Sequence, residues 1–565
     1  MNTSLLKLFA LRIVFLMAAL LMASCDRYDY DTIIRQGLIY DGSGNRPYVA
    51  DLAIKSGRIA AIGDLSAQRG RVEIDAAGLA VSPGFINMLS WATVSLIHDG
   101  RSLSDIRQGV TLEVFGEGSS MGPMNEKMKK RRLERQTDIK YDIPWTTLGE
   151  YLQHLEDKGV STNVASFIGA TTVRIHEVGY GDRPATPEEL ERMQSLVRQA
   201  MEEGALGVGS SLIYAPANYA PTAELIALCQ VAAEYDGMYI SHMRSEGGKI
   251  FEALDELLTI ARETGIRAEI YHLKSSRPAN WHKLDEVIER VEAAQSQGLH
   301  ITADMYNYAA SSTGLNAIAP LWAQEGGHGA WVRRMQDPAL RPRIRDEIAK
   351  ELEAQPAEGI LLVGFRNPEM RHLTGKTLAE VAAMRNADPA ETAMNLVIED
   401  DSRVQCVYFS MTEENIRKKV ALPWVAFCSD AGSIAPEPPF TNSQPHPRAY
   451  GSFARLLGKY VREEQLLPLE DAIRRLTSFP ASNLKIKDRG NLKEDYFADV
   501  VVFDPATITD HATFEEPHQL ATGVQHVFVN GIHVLKQGKH TGALPGRFVK
   551  GPGWKEGSQI TSSYR

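Results

Sequence analysis

At 565 residues, with 44% apolar and 23% charged side chains, the chain can bury an ordinary globular core and is too long for one small domain. The net charge of -10 is spread along the sequence without a run of Lys or Arg, which disfavours nucleic acid or another polyanion as a partner.

The first residues, MNTSLLKLFALRIVFLMAALLMASC, place Lys7 and Arg12 ahead of an apolar stretch that ends in small residues and a cysteine. This is the pattern of an export signal over residues 1–24. Its apolar core, Ile13 to Met22, falls short of the ~20 residues that span a bilayer, so a cleaved signal is expected in place of a permanent helix. Met22-Ala23-Ser24-Cys25 resembles the bacterial lipobox, in which the cysteine thiol receives diacylglycerol and becomes the mature N-terminus. The expected location is therefore the periplasm or cell envelope, with a lipid on Cys25 as the membrane anchor. Simple secretion is the alternative. Cys229, Cys406 and Cys428 lie in apolar runs such as LIALCQV and VAFCSD and read as buried thiols.

Residues 28–80 contain short alternating strands separated by Gly and Asn turns. ADVVVFDPATI and HVFVNGIHVLKQG, within residues 481–565, have the same texture, so both chain ends are predicted to build one small β-sandwich. Between them, over residues 81–480, eight apolar runs are each followed by a helical pattern: VSPGFIN, TLEVFGEG, NVASFIGA, ALGVGSS, MYISHM, RAEIYHLK, ITADMY and WVAFCSD. That rhythm predicts the α/β class and a (β/α)8 TIM barrel. Phe251, Leu254, Leu257, Leu258 and Ile260 form the stripe of an amphipathic helix outside such a barrel. Residues from about 315 to 405 break the rhythm and read as an insertion before the last barrel strand.

A TIM barrel gathers reactive groups at the C-terminal ends of its strands. His242, His272 and Asp304 close three successive runs about 30 residues apart, one βα unit each, and are expected at the same mouth. Glu117 and Asp430 also follow strand runs. Two imidazoles with one or two carboxylates suit Zn²⁺, with Mn²⁺ or Fe²⁺ possible. The plain alternatives are hydrogen-bonded packing histidines, in a chain with 15 of them, and a solvated loop carboxylate at Glu117.

SHMRSEGGKIFEALDE, AEIYHLKSS, TADMYNYAASST, CSDAG, HPRAYGSFARLLGKYV and TSFPASNLKIKDRGNLKEDYFADVVVFDPATI resemble motifs of the D-aminoacylase branch of the amidohydrolases. The resemblance implies deacylation of small N-acyl-D-amino acids, zinc held by His242 and His272, and Asp430 as catalytic acid-base. It also implies Lys274, Arg448 and Tyr306 or Tyr308 around the substrate, and Tyr214 is counted with them. A guanidinium can grip an amino acid's carboxylate bidentately, with Arg448 as the better candidate and Arg244 as the alternative. The same resemblance leaves other amidohydrolase activities open, dihydropyrimidinase-like or dipeptidase-like, as well as a catalytically silent surface lipoprotein.

The departures carry information as well. Where the family begins its barrel with PGFIDxHxH, this chain reads PGFINMLSWA, with Leu89 and Trp91 at the two histidine positions. Neither side chain can ligate Zn²⁺, so a single ion is expected. Where the family has GNCGFS with a metal-binding cysteine, this chain has GEGSSMGP, and a one-residue gap brings Glu117 to that position as the third ligand.

Overall fold

The computed structural model describes residues 28–557, so the export signal and Cys25 lie outside the described residues. All eight apolar runs become the parallel strands of one barrel: Phe85–Asn87, Val110–Phe115, Asn163–Ser166 continuing as Ile168–Gly169, Gly207–Ser211, Met238–His242, Arg267–Ile270, Ile301–Met305 and Val425–Phe427. Each pairs in parallel with the next, for example Ser211 opposite His242 and Met305 opposite Phe427. The third strand is split at Phe167, its two halves pairing with the second and fourth strands respectively. Closure comes from a parallel bridge between Ser90 and Ala431, beyond the ends of the first and eighth strands. The strands read as near-continuous apolar runs because both faces are covered. Leu112, Val114, Phe167 and Ile240 fill the barrel interior.

Helices cover the outside. Ile250–Thr264 buries Leu254, Leu257 and Ile260 and stops at Gly265, whose positive φ of 68° suits the left-handed helix end. Each such leucine stabilises the fold by roughly 1.5–3 kcal/mol through apolar burial.

The insertion has its own architecture. Between the seventh and eighth barrel strands, Ser311–Gly314, Ile360–Gly364 and Gln405–Tyr408 form an antiparallel sheet with Gln405–Tyr408 in the middle. Around it Trp331, Met335, Ile344, Leu378, Met394 and Leu396 make a separate apolar core. The predicted limits of about 315 to 405 fall slightly inside the sheet that ties the insertion together.

Strands from both chain ends join in one nine-stranded sheet, where Ala80–Pro83 pairs antiparallel with Val500–Phe503. A buried polar knot fastens this sheet to the barrel. Arg489 donates to Asp499, and Asp499 also accepts from Asn163 Nδ2 (3.2 Å) on the third barrel strand and from the Asn530 backbone N–H (2.8 Å). Removing one partner of a buried ion pair leaves an uncompensated charge, at a cost of roughly 3–5 kcal/mol. Arg489→Ala is accordingly expected to lower the unfolding free energy by about that amount. Replacing both Arg489 and Asp499 with apolar residues should cost less. Equilibrium denaturation of the two variants checks the ordering.

Candidate metal centre

Glu117 follows the second barrel strand between two glycines that its placement requires. Gly116 has φ +111°, and a Cβ there would meet the Phe167 carbonyl oxygen at 2.4 Å; at Gly118, with φ +67°, it would meet Ser211 Cβ at 2.5 Å. Only glycine lets the loop approach the third and fourth strands this closely. Glu117 is therefore drawn inward and is 6% exposed, unlike a solvated loop carboxylate.

His242 ends the fifth strand, and His272 follows the sixth. Their rings meet edge to face with centroids 4.5 Å apart. Glu117 Oε1 lies 2.8 Å from His242 Nδ1 and 3.0 Å from His272 Nε2. Burial pushes the Glu117 carboxyl up, yet the bonds from His242 and His272 hold it well below the usual carboxylate range. Burial and the neighbouring Lys274 push His272 down, but Glu246 and Glu117 carry it up to about 9.

Glu246 backs the opposite edges of both rings. Its Oε1 accepts from Lys274 Nζ at 2.6 Å and lies 3.1 Å from His272 Nδ1, and its Oε2 lies 3.5 Å from His242 Nε2. Sequence reasoning missed this residue. The available signal was an acidic side chain four positions after a strand-end histidine.

Asp430 follows the eighth strand with φ 48°, and His272 has φ 37°, so two central residues sit in left-handed backbone that side chains rarely adopt. Asp430 Oδ1 accepts from the Trp91 indole N–H at 3.1 Å, and Oδ2 lies 2.8 Å from Arg448 Nη1. Burial holds its carboxyl above the ordinary value against the pull of Arg448, and the charge on Glu117 adds to the rise. Arg448 stacks over Tyr306 with its guanidinium carbon 4.4 Å from the ring centroid.

Glu117, His242 and His272 offer one ligand atom each within 4.8 Å of one another. Two imidazole nitrogens and a carboxylate oxygen are a donor set that suits Zn²⁺ and leaves a fourth position open. His242 Nε2, Tyr306 Oη and Arg448 Nε are buried here without a hydrogen-bond partner among the described residues. Buried polar atoms are seldom left so, and several around one point mark a place built for a ligand. All open into a cavity of about 1430 Å³, lined by Trp91, Glu117, Tyr214, His242, Glu246, His272, Lys274, Tyr306, Asp430 and Arg448, and walled on its outer side by the insertion.

Two expected substrate contacts are corrected. Arg244 is committed elsewhere: it binds both oxygens of Glu256 at 2.8 Å and the carbonyls of Asn218 and Ala220, beside a smaller separate cavity. The Tyr308 hydroxyl donates to Asp510 (3.2 Å), away from the large cavity, so of this pair it is Tyr306 that lines it. Asp304 is fully buried and accepts from the His272 backbone N–H at 2.6 Å, holding the ligand's main chain in place of facing the mouth. Leu89 is packed in the barrel interior. Cys229, Cys406 and Cys428 are buried free thiols.

Residues 139–535 match the sequence pattern described as the Amidohydrolase family. The chain is 32% identical over 529 residues to a D-aminoacylase of Alcaligenes xylosoxydans xylosoxydans, covering 94% of this chain and 99% of the relative. It is 30% identical to an N-acyl-D-glutamate deacylase of the same organism, over 92% of this chain and 96% of the relative. Among solved structures it is similar to the N-acyl-D-glutamate deacylase of Bordetella bronchiseptica complexed with zinc and a phosphonate mimic of the tetrahedral intermediate, with a TM-score of 0.77, 30% identity and coverage of 92% and 99%. A D-aminoacylase structure, described as having a binuclear metal centre with one-metal activation and second-metal attenuation, matches with a TM-score of 0.77, 31% identity and coverage of 92% and 100%. The chain belongs to the amidohydrolase family.

Proposed function

We propose that this chain is an exported, single-ion hydrolase that deacylates small N-acyl-D-amino acids to a carboxylate and a free amino acid. The observation that carries this reading is the convergence of three donor atoms within 4.8 Å beside the Asp430 carboxylate in one cavity. Relatives named D-aminoacylase and N-acyl-D-glutamate deacylase support the substrate class, and the zinc complex of a similar structure supports Zn²⁺. Leu89 and Trp91, which cannot ligate, support one ion.

When bound, the ion supplies a Lewis acid that polarises the amide carbonyl and makes water a competent nucleophile near neutral pH. Asp430 would accept a proton at its carboxylate from the attacking water and deliver it to the leaving amine, which cannot depart as an anion. Its raised affinity for protons suits a group that must hold one between the two steps. Arg448, stacked on Tyr306 with its Nε buried and without a partner among the described residues, supplies the cation for the substrate carboxylate, and Lys274, held by Glu246, lines the same cavity. Glu246 stands behind both imidazoles and is nearest His272 Nδ1, at 3.1 Å, the side from which carboxylates commonly orient ligating histidines. Export and lipid attachment at Cys25 rest on the first 25 residues, and no helix among the described residues is long and apolar enough to cross a membrane.

Release of free amino acid from a panel of N-acetyl-D- and N-acetyl-L-amino acids by the zinc-loaded protein tests the activity. No turnover of any D-substrate would sink it. Within that assay Asp430→Asn should keep its zinc and lose roughly 10²–10⁴ in kcat, whereas His272→Ala should lose the metal itself, read by metal analysis. Glu246→Gln should weaken zinc affinity by about 10–100-fold in chelator competition while the fold is retained. Cys25→Ala should move the exported protein from the membrane to the soluble fraction on cell fractionation.

A further inference from the structure

Two buried carboxylates with different partners face each other at the barrel mouth. Glu117 turns Oε1 to both imidazoles, and Asp430 turns Oδ2 to Arg448. The remaining oxygen of each is held by one hydrogen. The Trp91 indole Nε1 lies 3.0 Å from Glu117 Oε2 and 3.1 Å from Asp430 Oδ1, a three-centre bond spanning the two acids.

The backbone enforces this arrangement. The Trp91 N–H donates to the Ala431 carbonyl at 2.9 Å, and the Asp430 N–H donates to the Leu89 carbonyl at 2.9 Å, so the segments after the first and eighth strands are laced in fixed register. Trp91 and Asp430 are thereby brought opposite each other across the point where the barrel closes. The indole remains 41% exposed and forms part of the cavity wall. A large aromatic left in contact with solvent while its single donor is aimed inward at two acids is placed for the donor more than for apolar burial.

We propose that Trp91 is the positioning residue of this centre, its indole hydrogen fixing Glu117 against Asp430 and its ring taking up the space between them that a second cation would need. Like charges this close in a buried setting repel strongly unless a positive group stands between them. The indole hydrogen, the positive end of a neutral N–H dipole, meets both acids without adding a net charge. The effect on Asp430 rests on the acid-base reading above. The effects on Glu117 and on the number of ions do not.

The test compares the unaltered protein with Trp91→Phe and Trp91→His by zinc titration, metal analysis, chelator competition and steady-state kinetics, with thermal unfolding as the control for folding. The unaltered protein should saturate at one zinc per chain. Trp91→Phe keeps a ring and loses the donor: zinc should bind about tenfold more weakly or worse, kcat should fall at least about tenfold, and KM should change little. Trp91→His sets an imidazole beside the free oxygens of Glu117 and Asp430, three ligands in all, and should take up a second zinc. Saturation of the unaltered protein at two ions overturns the proposal, as does Trp91→Phe matching it in affinity and kcat, or Trp91→His remaining at one ion. If the unaltered protein binds no zinc or cleaves no N-acyl-D-amino acid, the proposed function fails. If it does both and Trp91→Phe is indistinguishable from it, only the role of Trp91 fails.

Discussion

A carboxylate buried to 6% exposure sets the terms for the rest of the site. Taking the Glu117 charge out of water is tolerated only if hydrogen bonds and positive groups replace the lost hydration. Two imidazoles at 2.8 and 3.0 Å meet one oxygen, and the Trp91 indole meets the other. Those partners arrive from the ends of the fifth, sixth and first strands, so the barrel must be closed before the charge is satisfied. The paired glycines on either side of Glu117 are the sequence-level cost of bringing it so deep.

The same site holds backbone strain. His272 and Asp430 adopt φ of 37° and 48°, and non-glycine residues there cost of order 1–3 kcal/mol each. Neighbouring hydrogen bonds hold both in position. Asp304 accepts from the His272 N–H, and Asn87 accepts from the N–H of Ser429, the residue before Asp430, at 2.9 Å. These supports are fully buried, so strain at the mouth is borne by a rigid base just beneath it.

The barrel was legible because each strand is covered on both faces, and a covered strand is written as an unbroken apolar run. Eight runs announced eight strands. The histidines and Asp430 were legible because they terminate such runs, and Glu117 because its loop could be placed against a resemblance. Other features depend on neighbours far away along the chain. Arg244 was open to a substrate role until the fold brought Glu256 within 2.8 Å, and Tyr308 until Asp510 arrived from 202 residues later. Glu246 carries no periodic signal, because it lies in an irregular loop and is positioned by the Ser276 N–H at its carbonyl and by Lys274 at its carboxylate. Trp91 was legible as a missing ligand. Its actual contacts required the register between the two ends of the barrel.

Charge balance ties these pieces together. Glu117, Glu246 and Asp430 bring three carboxylates, while Lys274 and Arg448 bring two permanent cations, all in one cavity. With both imidazoles neutral, as metal ligation requires, these side chains carry one excess negative charge. A divalent ion would turn that into one excess positive charge. A substrate carrying a single carboxylate would restore the balance, and Arg448 and Lys274 are among the cations that line the cavity. Trp91, being neutral, leaves the count undisturbed, whereas a second divalent ion in its place would raise it by two.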